Sequence, residues 1–247
     1  MTTKIIYDFG SNNGDDIPYY LLKADRVVAV EANPTLCEHI RSRFAAVIRD
    51  GRLVVENCVL TIEPANEATA FYIHKTNHVL SQFPEPQTHS ADYEKVFLPA
   101  RNVTSIVEEH GTPYYIKLDV EQYDQVLLRE LLTNRIAPPY ISAESHTIQV
   151  FCQLVATGCY NAFKIVDGSS VATLYGECTI HTAHGTLSYS FPHHSAGPFG
   201  NDIHGPWMSA ENFWRVLAFL GLGWKDIHAS SVDTPDWSYA PQHPQTI

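Results

Sequence analysis

The chain is poor in the features that would mark a secreted, metal-stapled, membrane or nucleic-acid protein. Its five cysteines (Cys37, Cys58, Cys152, Cys159 and Cys178) are odd in number and no two have the C-x-x-C spacing, which excludes a disulfide framework and a zinc ribbon. Three of them sit among apolar residues and read as small core hydrophobes. Cations are scarce: 16 Lys and Arg face 27 Asp and Glu, a formal net charge of −11. Binding to a phosphate backbone depends on Lys and Arg neutralising phosphates, so no nucleic-acid partner is expected. No apolar run approaches the roughly 18 residues needed to cross a bilayer. The N-terminus enters a strand at once, leaving no room for a signal peptide. A cytoplasmic protein with no membrane partner is expected. There is no internal repeat and no low-complexity segment.

What is present suits one α/β domain over residues 1–247. Hydrophobic residues make up 45% of the chain, enough for a sizeable core. The first half alternates strand and helix signals, the pattern of a mostly parallel sheet with helices on both faces. Ile5–Tyr7 predicts a first strand, Pro18 the first turn of a helix, and Arg26–Glu31 a second strand. Asn33 caps a helix with Pro34 at its first position. Leu36, Ile40, Phe44 and Val47 mark its buried face. Leu53–Leu60 predicts a third strand, Ala70–Ile73 an extra one, and 76–101 a polar, proline-bearing loop. A short helix from Thr104 to Gly111 follows, then strands at Tyr114–Asp119, Tyr140–Glu144 and Phe163–Val166. Helices at Val126–Leu132 and 147–157 separate these strands. Residues 1–166 therefore form the core of the domain. Beyond Asp167 the texture turns to Gly, Ser, His and Pro, with short strands near Thr179–Tyr189 and a last helix ending at Gly221. The tail after Ser231, with Pro235, Pro241 and Pro244, reads as irregular.

The most informative segment is Asp8-Phe9-Gly10-Ser11-Asn12-Asn13-Gly14. A strand ending in an acid and running into a Gly-x-x-x-Gly turn is the ligand turn of Rossmann-like sheets, where glycine lets backbone approach the ligand. Glu31, 17 residues after Gly14, ends the next strand, where a carboxylate can accept from two ribose hydroxyls. A dinucleotide loop carries glycine where this chain has Asn12, and Asp8 would repel a pyrophosphate. Both residues suit the methionine end of S-adenosylmethionine (SAM): Asn12 by hydrogen bonding, Asp8 by facing its ammonium.

Asp8-x-Gly10-x-Asn12-x-Gly14, Val28-Ala29-Val30-Glu31-Ala32-Asn33-Pro34 and Ile116-Lys117-Leu118-Asp119-Val120-Glu121 together resemble the FkbM family of methyltransferases. Asn57-x-Val59-Leu60 and Ala143-Glu144-Ser145-His146 add to the likeness, which covers roughly residues 4–166. The resemblance implies a class I methyltransferase fold, SAM as donor, and transfer to a hydroxyl of a sugar or natural product. By position it implies that Asp8, Gly10, Asn12, Asn13 and Gly14 hold the methionine end and Glu31 the ribose. Asn57 and Cys58 would flank the adenine. The family commonly has glycine after Asp-Val-Glu, where this chain has Gln122. Residues 167–247 carry few family marks and are expected to face the substrate.

A hydroxyl acceptor needs a general base or a metal at neutral pH. Asp119, Glu121, Glu144 and His146 all fall at carboxyl ends of predicted strands, where ligands sit in open α/β sheets. His146 is the preferred base, because an unperturbed imidazole titrates near pH 6.5. Glu144 and Asp119 complete the catalytic set, Asp119 standing on the cofactor side as well. In a metal variant Asp119, Glu144 and His146 would hold Mg²⁺ or Mn²⁺. The loop histidines His181, His184, His193, His194 and His204 read as solvated or substrate-facing rather than as metal ligands. Gly197–Asp202 and Trp207 read as a shaped loop covering a small-molecule or saccharide acceptor, with Trp207 available to stack on it. The competing readings are N-methylation of a small molecule, a nicotinamide-dependent oxidoreductase, and a non-catalytic SAM-fold binding module. Asn12 and the missing third glycine count against the oxidoreductase, and the intact Asp8 loop, Glu31 and Asp119 against a binding module.

Overall fold

The computed structural model describes residues 3–64 and 68–237. The chain divides into two compact units, Met1–Ile136 and Ala137–Ile247. Among the described residues no helix is long and apolar enough to cross a membrane.

The first unit is built on four parallel strands, β1 (Ile5–Phe9), β2 (Arg26–Glu31), β3 (Leu53–Asn57) and β7 (Pro113–Leu118). β1 pairs with β2 on one side and β7 on the other, and β3 lies outside β2. All five residues of β1 are buried, as expected of a parallel strand covered on both faces. Ile6, Tyr7 and Phe9 have no exposed surface, each burial contributing about 1.5–3 kcal/mol. Asp8 shares that burial, and its carboxylate therefore demands compensation. Helices α1 (Ile17–Lys23), α2 (Pro34–Arg43), α3 (Ala45–Arg49), α4 (Val103–His110) and α5 (Asp124–Thr133) join the strands. Asn33 caps α2 by accepting from Thr35 N, and Asn102 caps α4 by accepting from Thr104 N. A small sheet of β4 (Val59–Thr61), β6 (Tyr93–Asn102) and β5 (Ala68–His74) is inserted after β3.

The second unit has β8 (Tyr140–Ser145), α6 (Ile148–Ala156) and β9 (Ala162–Asp167). These are followed by a 3-10 turn and α7 (Val171–Leu174), the hairpin β10 (Cys178–Thr182) and β11 (Gly185–Tyr189), then α8 (Ala210–Leu220) and β12 (Gly223–Ser230). β12 runs antiparallel between β8 and β9. The late strand therefore completes pairing begun some sixty residues earlier.

Four expectations need correction. The helix after Asn33 breaks at Phe44, whose φ of −113° and ψ of 22° leave the helical region. Its buried positions are Cys37 and Ile40, with Leu36, Phe44 and Val47 half-buried. The third strand stops at Asn57, and β4 leaves to pair with β6. Residues 93–101, predicted as loop, belong to β6, the longest strand among the described residues, because the antiparallel partner β5 overrides Pro99 and the charges at Glu94 and Lys95. β12 was not predicted at all. In the tail, Pro235 lies in irregular backbone, while Pro241 and Pro244 lie outside the described residues.

Candidate functional site

At the end of β1 the chain turns sharply. Gly10 has a φ of +85°, and a Cβ there would lie 1.7 Å from the backbone oxygen of Asp119. Only glycine fits this approach. Gly10 N and Ser11 N both donate to Val30 O, at 2.9 and 3.1 Å, and Gly14 N donates to Ser11 O at 2.8 Å. At Gly14, with φ +78°, a Cβ would lie 3.0 Å from Ile17, 3.1 Å from Ile40 and 3.2 Å from Phe44, closer than ordinary contact allows. Glu31 fastens the turn. One carboxylate oxygen accepts from Asn12 N at 2.8 Å and the other from Asn33 N at 2.7 Å. Asn12 itself sits at φ 48°, a conformation asparagine tolerates better than most residues. Burial pushes the Glu31 carboxyl up to about 7, against the pull of these two amides. Asn13 faces away, donating to Asp15, which pairs with Arg43 at 2.8 Å. Asn57 spends its amide nitrogen on the carbonyls of Glu31 and Ala32, 3.0 and 2.8 Å away. Cys58 is buried and its thiol pushed up to about 12, hence neutral.

Beneath the turn lies a cluster of charge. The Lys117 ammonium is 3.1 Å from Asp119 Oδ2, 3.5 Å from Asp8 Oδ1 and 4.0 Å from Asp16 Oδ2, and donates to Gly10 O at 3.3 Å. Asp8, Asp16 and Lys117 are buried and Asp119 half-buried. Among the described residues neither Asp8 oxygen meets a hydrogen-bond donor in good geometry. Burial, the largest influence, leaves the Asp8 carboxyl above the ordinary carboxylate range, against the pull of Lys117 and Ser11 and with a further push from Asp119. Three acids share one ammonium, so the ionised cluster carries net negative charge. A cationic ligand end fits it and a pyrophosphate does not. The sequence pointed to Asp8 and Asp119 but missed Asp16 and the role of Lys117. A lysine between the apolar Ile116 and Leu118 was the available signal, since a buried lysine needs partners.

Beyond β7, Val120 N donates to Asp124 Oδ1 at 3.0 Å, and Glu121 and Gln122 take φ values of 42° and 68°. Gln122 thus holds the left-handed conformation that glycine takes without strain. Lys117 occupies one oxygen of Asp119, so a divalent ion there would face a like charge; this weakens the metal route through Asp119. A second acid–histidine grouping, Glu56, Glu109 and His110, is already neutralised. Arg101 pairs with Glu56 at 3.3 Å and Glu109 at 2.6 Å, while His110 lies between Arg26 and Glu56.

In the second unit the structure brings Glu144 and His146 together. Glu144 is the penultimate residue of β8 and is buried; its Oε2 lies 2.8 Å from His146 Nε2, with the ring about a quarter exposed. A carboxylate this close would stabilise an imidazolium on the ring. Trp207 does not fit the part of an exposed stacking platform. It is buried, its indole donates to Asn201 Oδ1 at 2.7 Å, Tyr140 stacks on it, and Lys164 lies 4.8 Å over the ring. Of the loop histidines, His181 pairs with the buried Asp202 at 2.8 Å and His204 lies against Tyr175. Among the described residues none of them joins a metal-holding group.

The strand order, the glycine turn at the end of β1 and the acid at the end of β2 define a Rossmann-like fold of the class I methyltransferase kind. The methyltransferase FkbM domain matches residues 8–158, and the chain belongs to that family. Among solved structures, it is similar to a methyltransferase FkbM from Methylobacillus flagellatus KT at 14% identity and a TM-score of 0.39. That likeness covers 63% of this chain but only 36% of the other. It is also similar to a precorrin-6y C5,15-methyltransferase from Geobacter metallireducens GS-15, at 9% identity and a TM-score of 0.40, covering 92% and 78% of the two chains. A third is a putative O-methyltransferase from Klebsiella pneumoniae, at 13% identity and a TM-score of 0.36, covering 77% and 74%. No curated protein matches the chain.

Proposed function

We propose that the protein binds SAM over the Asp8–Gly14 turn and methylates a hydroxyl of a saccharide or secondary metabolite. The observation that carries the cofactor assignment is the acid cluster around Lys117, with the buried Asp8 carboxylate lacking a well-placed donor. Membership of the FkbM family supports the same donor. Bound SAM supplies a methyl group already activated by its sulfonium. The chain's own task is then to hold, orient and deprotonate. Asp8 faces the cationic methionine end, Gly10, Asn12, Asn13 and Gly14 form the turn beside it, and Glu31 accepts from the ribose. Asn57 and the neutral Cys58 border the adenine. Asp119, at the rim of the cluster, completes the cofactor side. For the acceptor, His146 takes the hydroxyl proton at Nδ1 while Glu144 steadies Nε2 and the imidazolium that forms.

The test is turnover on a panel of sugars, glycosylated metabolites and amines, with product mass as readout, in the presence and absence of a chelator. Activity on hydroxyls that survives chelation and falls about 10²–10⁴-fold in His146→Ala, with SAM affinity retained, is the expected result. Methylation of amines alone would overturn the hydroxyl reading. Full activity in His146→Ala would overturn the base. Calorimetry showing NAD binding without SAM binding would overturn the cofactor.

A further inference from the structure

Lys117 sits where an apolar residue would pack. It lies on β7 between Ile116 and Leu118, both fully buried, and is itself 3% exposed. Its nearest acid, Asp119, is about a third exposed and reaches water without help. Asp8 cannot: it lies wholly inside, in the middle of the sheet. A carboxylate so placed takes up a proton unless a cation stands beside it. The groups acting on it are Lys117 on β7, Asp119 just past that strand, Ser11 in the turn and Glu31 at the end of β2, while Asp16 reaches Lys117 at 4.0 Å. Lys117 is the one cation among these.

We propose that Lys117 is a positioning residue whose ammonium keeps Asp8 charged, so that the cationic end of the cofactor meets a carboxylate rather than a neutral acid. The inference rests on the cofactor assignment above and goes one step past it, giving a role to a residue that touches no substrate. Without Lys117, Asp8 is protonated in the folded protein and ionised in the unfolded chain. The unfolded chain then binds fewer protons, so stability falls as pH rises above the usual carboxylate range. Burial is the largest influence on Asp8 and leaves its carboxyl raised even with Lys117 beside it, so loss of the ammonium raises it further.

The experiment compares ligand-free wild type, Lys117→Met, Asp8→Asn and the double variant. Melting is followed from pH 5 to pH 8, and SAM is titrated calorimetrically at pH 7. The Tm deficit of Lys117→Met should widen by about 5 °C or more towards pH 8. Asp8→Asn in the same background should remove most of that widening. SAM affinity should fall at least about tenfold in Lys117→Met, and the double variant should bind within about threefold of Asp8→Asn alone. If Lys117→Met fails to fold and the double variant folds, the same coupling is established. A Tm deficit independent of pH overturns the proposal. So does a double variant that fails to fold or binds tenfold more weakly than Asp8→Asn, because Lys117 then acts apart from Asp8. Wild type that does not bind SAM, with the pH-dependent coupling intact, overturns the cofactor assignment and with it the cofactor role of Lys117, while the charge pairing stands.

Discussion

In the first unit the buried charges gather at the carboxyl ends of parallel strands, whereas in the second they run along the middle of three strands. Ser142 and Glu144 on β8, Lys164 on β9, and Asp226, His228 and Ser230 on β12 share one face by register, and all are buried. The two sets are balanced differently. Around Lys117 three acids outnumber one ammonium, which leaves a charge for a ligand to meet. In the second unit burial holds the Lys164 ammonium down to about 8, and its proton goes to Ile203 O at 2.6 Å under the face of Trp207. Burial, helped by Lys164, holds His228 down to about 3, so it is neutral. Asn201 and Ser230 both donate to Asp233, extending the tie to the 201–207 segment. Excess charge of one sign points to a ligand; an ammonium satisfied by a carbonyl and a ring, as at Lys164, points to a lock.

The largest effect that would sharpen this contrast comes from Trp207→Ala. If the 195–208 segment is locked rather than open to an acceptor, the variant loses a packed indole and the cover of Lys164. A cost of about 3–5 kcal/mol is expected, seen as a Tm lower by roughly 10 °C or more. SAM affinity of the folded protein should hold. An unchanged Tm with a raised acceptor KM would mean that the indole faces substrate after all.

A smaller effect tests the first unit. Glu31→Ala removes the acceptor of two backbone amides and of the proposed ribose contact, and should weaken SAM binding by about 1–3 kcal/mol. Glu31→Gln isolates the charge. Because burial raises the folded carboxyl to about 7, the contribution of Glu31 to stability is full below the usual carboxylate range and is lost as pH rises through about 7. The Tm of Glu31→Gln relative to wild type should therefore climb between pH 5 and pH 8. A gap that is flat with pH would show that Glu31 is ionised throughout.

How much of this was legible in the sequence differs between the units for a physical reason. β2, the Asn33 cap and the glycine turn are local: each is set by residues a few positions apart, and the structure has them where the spacing put them. The Glu144–His146 pair is equally local. β12 was hidden because Trp224, Asp226 and His228 alternate with Lys225, Ile227 and Ala229 and read as a half-wet segment. In the fold, five of its eight residues are fully covered, paired on both sides. β6 was hidden by Pro99 and its charges, which an antiparallel partner tolerates on an exposed face. The charge cluster was half legible. Asp8 and Asp119 announced themselves by motif, but that Lys117 and Asp16 meet them depends on pairing across β1 and β7, which no spacing reveals.

The smallest expected effect concerns the joint between β7 and α5. FkbM chains commonly carry glycine where this one has Gln122, and Gln122 is exposed with φ 68°. An L-residue in that conformation costs roughly 1–2 kcal/mol, while glycine gives back about 0.5–1 kcal/mol through the freedom it adds to the unfolded chain. The two nearly cancel, with the strain the larger. Gln122→Gly should thus raise Tm by a few degrees at most and leave SAM affinity within about twofold, since the Val120–Asp124 contact that starts α5 does not involve the Gln122 side chain. A lowered Tm would show that the glutamine side chain holds the joint by contacts worth more than the strain. In that case the departure from glycine is a local substitute for backbone freedom rather than a tolerated cost.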